Sequence, residues 1–307
     1  MTNSQSKKEY LRRIYKVQDY IETHLYDSLN LQELAVVAGF SKFHFHRIFK
    51  GIVQEPLSQY VNRLKLERAV FLLIHRPDMT VTDIAYHFGF ADSAVFSRTF
   101  KNHYKVSPNH YRNQYSKNRK DPYKLSQYNE GVSKIEGKSK GELVQGNVEI
   151  LMVDNINVAY LRHIGTYKDL AITFSEVLEK LFKYAKDQNL TIFEKTKVLT
   201  VYHDNPEFAK EDQLRTSLCM TIADNVVVEE NSDIGSMMIP SGKYAVGHFD
   251  IFQKEYSGAW DFMYSEWLSN SGYQPRDSFA FEVYNNDPNT HPQNKHLVDI
   301  YLPIEPL

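Results

Sequence analysis

The chain has 307 residues, of which 42% are hydrophobic and 24% charged, with 13 Gly and 11 Pro. This composition excludes disordered, collagen-like and coiled-coil proteins, and the length predicts two domains or one large one. The longest aliphatic and aromatic stretch, residues 69–74, is far shorter than the roughly 20 apolar residues of a membrane-spanning helix. One cysteine excludes an intrachain disulfide, and the first residues lack the apolar core of a secretory signal. We therefore expect a cytoplasmic protein with no membrane partner.

The charges are divided unevenly along the chain. The net charge is only −2, but residues 1–120 contain 19 Lys and Arg against 10 Asp and Glu, so the remainder is strongly acidic. A basic N-terminal part favours a polyanionic partner, although charge alone fits equally well a domain that is basic by chance.

An internal repeat with a spacing of about 50 occupies the basic part. Three residues of the first copy return fifty positions later, namely Ala35, Gly39 and Phe40 as Ala85, Gly89 and Phe90. Each copy opens with a helix-start signal, Asn30 with Glu33 and Thr80 with Asp83, in which a capping side chain stands three residues before a carboxylate. A small Ala followed by a turn Gly lets two helices cross closely, so the repeat predicts two helix-turn-helix units.

The second helix of each unit is predicted to have an apolar and a basic face. The predicted core-facing positions are Phe45, Ile48, Phe49 and Ile52 in the first unit, and Phe96, Thr99, Phe100 and His103 in the second. On the opposite faces, Arg47 and Arg98 have the side chain that bonds guanine in the major groove. Lys42, Lys50 and Lys101 are predicted to contact phosphates. For any single lysine a solvated surface charge is an equal alternative, but the duplicated pattern favours DNA.

The stretches GFSKFHFHRIFK and GFADSAVFSRTFKNHYKVSPNHYR resemble the paired helix-turn-helix units of AraC-type transcription regulators. In that family a long helix joins the units, here matched by residues 57 to about 74, and both recognition helices enter successive major grooves. The resemblance implies base contacts at Phe43, His46 and Arg47 in the first unit and at Ser93, Ser97 and Arg98 in the second. Ala94 and Ser97 are short, which predicts that the second helix reads fewer bases or relies on DNA shape.

A change in composition separates the basic part from the rest of the chain. Residues 116–145 are rich in Lys, Ser, Gly, Gln and Asn and predict a linker. From residue 146 onward, short β-branched and aromatic strands alternate with helical stretches, which predicts an α+β domain. A second duplication, at an offset of 82, relates YHDNP at residues 202–206 to YNNDP at 284–288 and predicts two repeated strand-helix-strand modules. The protein is therefore predicted to be multidomain: an all-α domain over 1–115, a linker over 116–145 and the α+β domain over 146–307.

One carboxylate stands out in the second domain. Alternation along FAFEVY places Phe279, Phe281 and Val283 on one face of a strand, and Glu282 with Tyr284 on the other. The counterpart of Glu282 at offset 82 is a threonine, so the acid breaks the symmetry of the duplication. A carboxylate flanked by aromatic rings neutralises a ligand cation while the rings add cation–π attraction. The alternative is an exposed carboxylate at a strand end.

A row of aromatic residues follows on a predicted helix after Ser257. Trp260, Tyr264 and Trp267 stand at i, i+4 and i+7, a spacing that fits either a ligand stack or plain packing against the sheet. Packing against the sheet is the commoner role of such a row, and the ligand stack is the alternative that would place these rings beside Glu282.

The segments VAYLRHIGTY, SGKYAVGHF, FAFEVYNNDP and VDIYLPI resemble the GyrI-like effector-binding domain over most of residues 146–307. Members of that family bind lipophilic, often cationic, small molecules in a groove between two halves, and some hydrolyse their ligands. The resemblance implies pocket and loop positions for Tyr160 and Tyr167. AraC-type units followed by this domain resemble Rob-like regulators.

The expected function is a transcription regulator that binds promoter DNA, a small lipophilic effector and RNA polymerase, without a cofactor, a metal or catalytic residues. One alternative is a GyrI-like hydrolase fused to a DNA-binding domain, with Glu282 as general base. The sequence has no P-loop, HExxH or G-x-S-x-G motif to support it. The other alternative is an architectural DNA protein whose groove is filled by its own side chains.

Overall fold

A computed structural model describes residues 3–27, 29–118, 144–188, 190, 196–204, 209, 211–224, 226, 228 and 233–307. Most of the predicted linker, residues 119–143, lies outside these ranges. Among the described residues, no helix is long and apolar enough to cross a bilayer. In the same ranges, no cluster of three or more His, Cys, Asp or Glu side chains has a geometry that could hold a metal ion.

The N-terminal part is helical and contains both predicted units. Its helices are α1 (Asn3–Thr23), α2 (Leu31–Val37), α3 (Lys42–Val53), α4 (Leu57–His75), α5 (Val81–His87), α6 (Ser93–Tyr104) and α7 (Pro108–Asn118). The pairs α2–α3 and α5–α6 form the units, and α4 joins them as predicted. The side chain of Asn30 caps α2, and Thr80 with Asp83 forms a complete capping box on α5. Gly39 and Gly89 have φ values of +63° and +67°, which glycine adopts without steric cost.

Phenylalanines from the two second helices form much of the core of this part. Phe45, Phe49, Phe96 and Phe100 are fully buried. The prediction for His103 is wrong, because this side chain is exposed. Tyr104 packs against the core instead, with its ring centroid 4.7 Å from Phe100 and 5.6 Å from Tyr111, since α7 brings Tyr111 against that side of α6.

The C-terminal part is the predicted α+β domain. Its elements are β1 (Asn147–Val153), β2 (Ile156–Ile164), α8 (Tyr167–Asp187), β3 (Val198–Tyr202), β4 (Arg215–Thr221), β5 (Gly235–Ile239), β6 (Gly242–Ile251), α9 (Tyr256–Asp261), a π-helix (Phe262–Leu268), β7 (Tyr273–Pro275), β8 (Ala280–Tyr284) and β9 (His296–Pro306). Antiparallel pairing gives the order β1-β6-β9-β8-β3-β4-β2-β5, and β7 pairs with β9.

The two modules of the duplication meet at the centre of this sheet. Strands β3 and β8 are equivalent at the offset of 82, and they pair antiparallel with Thr200 directly opposite Glu282. Three strands of this order lie on each side of the pair, and β7 is added beside β9. The approximate two-fold axis of the duplication therefore passes between Thr200 and Glu282, where one position carries a hydroxyl and its counterpart a carboxylate.

The two faces of the sheet contact different helices. Directly opposed residues of antiparallel strands share a face, so Thr200 and Glu282 lie on one face, which we call the site face. Helix α8 and the α9–π-helix segment cover the site face, with Leu181 and Met263 fully buried. The other face, which carries Val201 and Phe281, is called the docking face because its side chains bond α1 and α4.

Two phenylalanines on α3 allow a test of this packing. Phe45 has no exposed surface, whereas Phe43 is 86% exposed on the same helix. We expect Phe45→Ala to lower the free energy of unfolding by about 3 to 5 kcal/mol, because it leaves a cavity in the core. Phe43→Ala is the matched control and should change stability by less than about 0.5 kcal/mol. Urea unfolding followed by circular dichroism checks both, and equal losses would contradict the helix orientation.

Candidate DNA-binding helices and effector site

Helix α3 presents an exposed aromatic and basic surface. Ser41 caps its N-terminus by accepting the backbone N–H of His44 at 3.4 Å, and the buried Phe45 and Phe49 fix which face turns outward. All five predicted DNA-contacting residues of this helix are exposed: Lys42, Phe43, His46, Arg47 and Lys50. Within the described part of the chain, the Arg47 guanidinium makes no ion pair or hydrogen bond, so all its donors remain available to a ligand.

Helix α6 presents a similar but less positive surface. Arg98 and Lys101 are exposed, whereas Ser93 and Ser97 are half-buried. The cap of this helix is the carboxylate of Asp92, which accepts the Val95 N–H at 2.7 Å, where α3 has a neutral serine. A carboxylate at that end repels phosphates, so α3 offers the stronger surface for the DNA backbone.

In the C-terminal domain, Glu282 is buried on the site face and hydrogen-bonded by three side chains. Only 2% of the residue is exposed. The indole N–H of Trp260 donates to Oε1 at 2.6 Å, and the Tyr284 hydroxyl donates to Oε2 at 2.9 Å. The Tyr202 hydroxyl is the third donor. The Tyr284 oxygen also lies 2.7 Å from the hydroxyl of Thr200, so both residues on the two-fold axis belong to one network.

Aromatic rings from five elements surround this carboxylate, namely α8, β3, α9, the π-helix and β8. Trp260 meets Tyr202 edge to face with centroids 5.7 Å apart, and Tyr264 stacks on Trp260 at 6.1 Å. From α8, Tyr167 packs against Tyr202 at 5.4 Å. Phe174, also on α8, meets Tyr284 at 5.5 Å. The site is thus a carboxylate inside an aromatic box.

Burial and hydrogen bonding have opposite effects on the pKa of Glu282. Burial raises the pKa of Glu282 above the ordinary value of a glutamate, and the hydrogen bonds from Trp260, Tyr284 and Tyr202 offset only part of that effect. Burial also raises the pKa of Tyr202 and Tyr284, which keeps both phenols protonated as donors. No Lys, Arg or His pairs with Glu282 within the residues that the structure describes. Carboxylates are seldom fully buried without a cationic partner, so the box has the chemistry of a cation site.

The structure brings together five of the seven residues predicted for ligand binding: Glu282, Tyr284, Trp260, Tyr264 and Tyr167. It leaves two elsewhere. The ring of Trp267 stacks on Tyr273 at 6.5 Å, because the π-helix changes the turn after Trp260 and rotates Trp267 away from the box. Tyr160 lies on the docking face, where its hydroxyl donates to Asp19 of α1. The alternative of an exposed carboxylate at a strand end is wrong, because Glu282 is buried.

Sequence reasoning missed two members of the box, Tyr202 and Phe174. Tyr202 had a usable signal, since it is the counterpart of Tyr284 in the duplicated motif YHDNP and YNNDP. The two equivalent tyrosines approach the axis from opposite sides and donate to the same carboxylate. Phe174 had no such signal, because only the packing of α8 on the sheet brings its ring to Tyr284.

The raised pKa of Glu282 gives a test by pH. Because the folded protein binds this proton more tightly than the unfolded chain does, the group's contribution to stability is greatest in acid. This contribution is lost as the pH rises from the ordinary pKa of a glutamate through the raised pKa of Glu282 in the folded protein. Glu282→Gln removes this titration, so its melting temperature relative to the wild type should rise as the pH increases above the ordinary glutamate pKa of about 4.3. Glu266→Gln, on the exposed side of the π-helix, is the control, and a pH-independent difference for Glu282→Gln would refute the assignment.

Two separate parts of the chain match known protein families. The family model of the GyrI-like small molecule binding domain matches residues 146–305, and that of a helix-turn-helix domain matches residues 34–114. An uncharacterized HTH-type transcriptional regulator of Bacillus subtilis, YbfP, is 35% identical over 103 residues, which are 34% of this chain and 35% of the relative. A DNA gyrase inhibitor of Yersinia enterocolitica is 34% identical over 109 residues, 35% of this chain and 68% of the relative. The chain thus aligns with about a third of the Bacillus protein's length.

Two solved structures of EcmrR are also similar to this chain. Its C-terminal domain is 17% identical with a TM-score of 0.44, covering 53% of this chain and 99% of that one. The EcmrR–DNA complex is 14% identical with a TM-score of 0.44, covering 90% of this chain and 99% of that one. The GyrI-like model matches just over half of the residues, so the protein belongs to the GyrI-like small molecule binding family, with an AraC-type helix-turn-helix domain preceding that domain.

Proposed function

We propose that the protein is a transcription regulator that binds promoter DNA through α3 and α6 and binds a lipophilic organic cation as its effector at Glu282. The proposed domains are residues 1–115 for DNA binding and 146–307 for the effector, with residues 116–145 as the linker. Because a regulator of this kind acts on transcription initiation, RNA polymerase is the proposed third partner.

The buried, cation-free carboxylate of Glu282 carries the proposal for the effector. A glutamate held only by neutral donors gains more from a cation than from any of the present hydrogen bonds, because Coulomb attraction is strong where water is excluded. The surrounding rings offer cation–π attraction and apolar contact to the rest of the ligand. Ammonium groups that keep their water are poor ligands for such a box, whereas delocalised aromatic cations lose little hydration.

The present donors mark where the ligand has to enter. Trp260 donates to one oxygen of Glu282, and its ring also stacks on Tyr264, which is 43% exposed. The π-helix begins two residues after Trp260, and such wide turns are marginally stable and frequent at functional sites. We therefore propose that the ligand enters the box by displacing Trp260.

The geometry favours a sensor over the hydrolase alternative. A general base needs an oxygen free to accept a proton from water, whereas both oxygens of Glu282 accept hydrogen bonds from side chains. We therefore propose binding without turnover. Hydrolysis of hydrophobic esters that disappeared in Glu282→Gln would favour the enzyme instead.

Titration of the full chain with tetraphenylphosphonium tests the effector site. We expect saturable quenching of tryptophan fluorescence, because Trp260 bonds the proposed site directly. Glu282→Gln keeps the size of the side chain but removes its charge, and should weaken binding at least about tenfold. The neutral triphenylphosphine oxide should bind much more weakly than the cation, and Glu266→Gln should bind like the wild type. Equal affinities for the cation in Glu282→Gln and the wild type would refute a carboxylate-centred site.

DNA binding is tested on a duplex selected by the protein from a random-sequence library. Arg47→Ala and Arg98→Ala should each cost about 1 to 3 kcal/mol of specific binding and relax the preference at one base position. Lys50→Ala should instead weaken binding to all sequences and reduce the salt dependence by about one charge. Lys183→Ala, which removes an exposed charge from α8, is the matched control. Unchanged binding in both arginine variants would exclude α3 and α6 from the groove.

A further inference from the structure

The docking face of the effector domain is joined to the DNA-binding domain by buried charges. Glu22 of α1 has a side chain only 4% exposed, and its Oε1 lies 3.2 Å from the guanidinium of Arg215 at the start of β4. Arg215 in turn binds both oxygens of Asp204, at 2.5 and 2.9 Å, and donates to the Tyr60 hydroxyl of α4 at 3.0 Å. Side chains from α1, α4, β4 and the end of β3 thus form one cluster across the domain boundary.

A directed chain of hydrogen bonds runs beside this cluster. Glu22 is an acceptor only, so the Nδ1–H of His203, 2.9 Å away, is the donor to it. The Nε2 of His203 then accepts from the Ser217 hydroxyl at 2.9 Å, and Arg162 donates to that hydroxyl at 3.1 Å. Arg162 also binds Asp19 at 2.8 Å, one helical turn before Glu22 on α1. Burial lowers the pKa of His203 and keeps the ring neutral, as this chain of donors requires.

Four charged residues of this contact have a sign opposite to the overall charge of the domain that carries them. The DNA-binding domain is basic overall, yet it contributes the acids Asp19 and Glu22. The effector domain is acidic overall, yet it contributes Arg162 and Arg215. Although burial alone favours the neutral acid, Arg215 and His203 hold the pKa of Glu22 well below its usual range. The boundary is therefore a specific, ionised contact.

One strand end belongs to both this contact and the effector box. Tyr202, the last residue of β3, donates to Glu282 on the site face. The next residue, His203, bonds Glu22 on the docking face, and Asp204 after it binds Arg215. Tyr167 of the box also donates to the backbone carbonyl of Asp204 at 3.5 Å. The effector box and the anchor of α1 are thus separated by a single peptide bond.

We propose that the end of β3, residues 202–204, transmits effector binding from Glu282 to Glu22 of α1 and so to the DNA-binding domain. The inference deepens the proposed function and rests on it. A cation that draws Glu282 away from Tyr202 frees the end of β3 to shift. The backbone at the end of an antiparallel strand moves as a unit over adjacent residues. His203 and Asp204 therefore shift together with Tyr202. Glu22 and Tyr60 then exchange partners, which alters how α1 and α4 hold the two recognition helices.

Reciprocal coupling between effector and DNA is the test. In the full chain, the affinity for the selected DNA duplex is measured with and without saturating tetraphenylphosphonium, and the affinity for the cation with and without DNA. The two ratios must be equal, and we expect at least about a fivefold ratio in the wild type. In Glu22→Gln the ratio should fall below about twofold. A merely structural role for Glu22 would change both affinities and the melting temperature but leave the ratio intact.

Glu305→Gln is the matched control. Glu305 makes another ion pair across the boundary, 3.7 Å from Arg76, but on β9 and away from the end of β3. This variant should keep the wild-type ratio. An unchanged ratio in Glu22→Gln, equal losses in both variants, or a wild type that binds both ligands independently would each overturn the inference while leaving the effector site intact.

Absence of cation binding would instead overturn the proposed effector, and a ligand-free measurement then decides the inference. Glu282→Gln and Glu22→Gln are combined in one double variant, and its fold-change in DNA affinity is compared with the product of the two single fold-changes. A difference of more than about threefold between the measured value and this product supports communication between the two residues. Agreement within that limit excludes it.

Discussion

The structure of the effector domain depends on burying one carboxylate without a cation. Glu282 lies where the two-fold axis of a duplicated sheet crosses its centre, opposite Thr200, the residue with which duplication equates it. A symmetric pair of glutamates there would place two like charges on adjacent strands in a water-free site, which is strongly unfavourable. One acid and one hydroxyl avoid that repulsion, and the equivalent tyrosines 202 and 284 supply donors from both sides. The asymmetry of a single residue thus converts a symmetric fold into a charged, one-sided site.

Side chains of a β-strand point alternately to the two faces of the sheet, and this alternation connects the effector site to the DNA-binding domain. At the end of β3, Tyr202 points into the aromatic box and the next residue, His203, bonds Glu22 of α1 on the opposite face. A rearrangement on one face therefore reaches the other through the strand backbone, without a long chain of intermediate contacts. The buried ion pairs on the docking face are costly to form, because each charge loses its water, but they have only one satisfactory geometry. That property suits the proposed transmission, in which the boundary changes between discrete arrangements.

Patterns local to a few residues were predictable from the sequence. The caps at Asn30 and Thr80, the turn glycines, the apolar face of α3 and the alternation around Glu282 follow from short-range sterics and hydrogen bonding, which each segment carries with it. Prediction failed where packing against a neighbouring element, or a change of helix type, determined which way a side chain points. Tyr104 replaced His103 against the core because α7 packs there, and a π-helix moved Trp267 away from Trp260 although their spacing was regular.

The fold class of the two domains, the duplications, the exposed arginines and the acid that breaks the second duplication could all be inferred from residue order. They appear there as periodicity and as departures from it. The burial of Glu282 without a cation, the completion of its surroundings by Tyr202 and Phe174, and the orientation of Tyr160 toward the other domain depend on how the elements pack. This packing also brings Asp19 and Glu22 to Arg162 and Arg215, about 140 to 190 residues away. Pairings over such separations depend on how complete domains pack, and no local pattern in either segment records the partner.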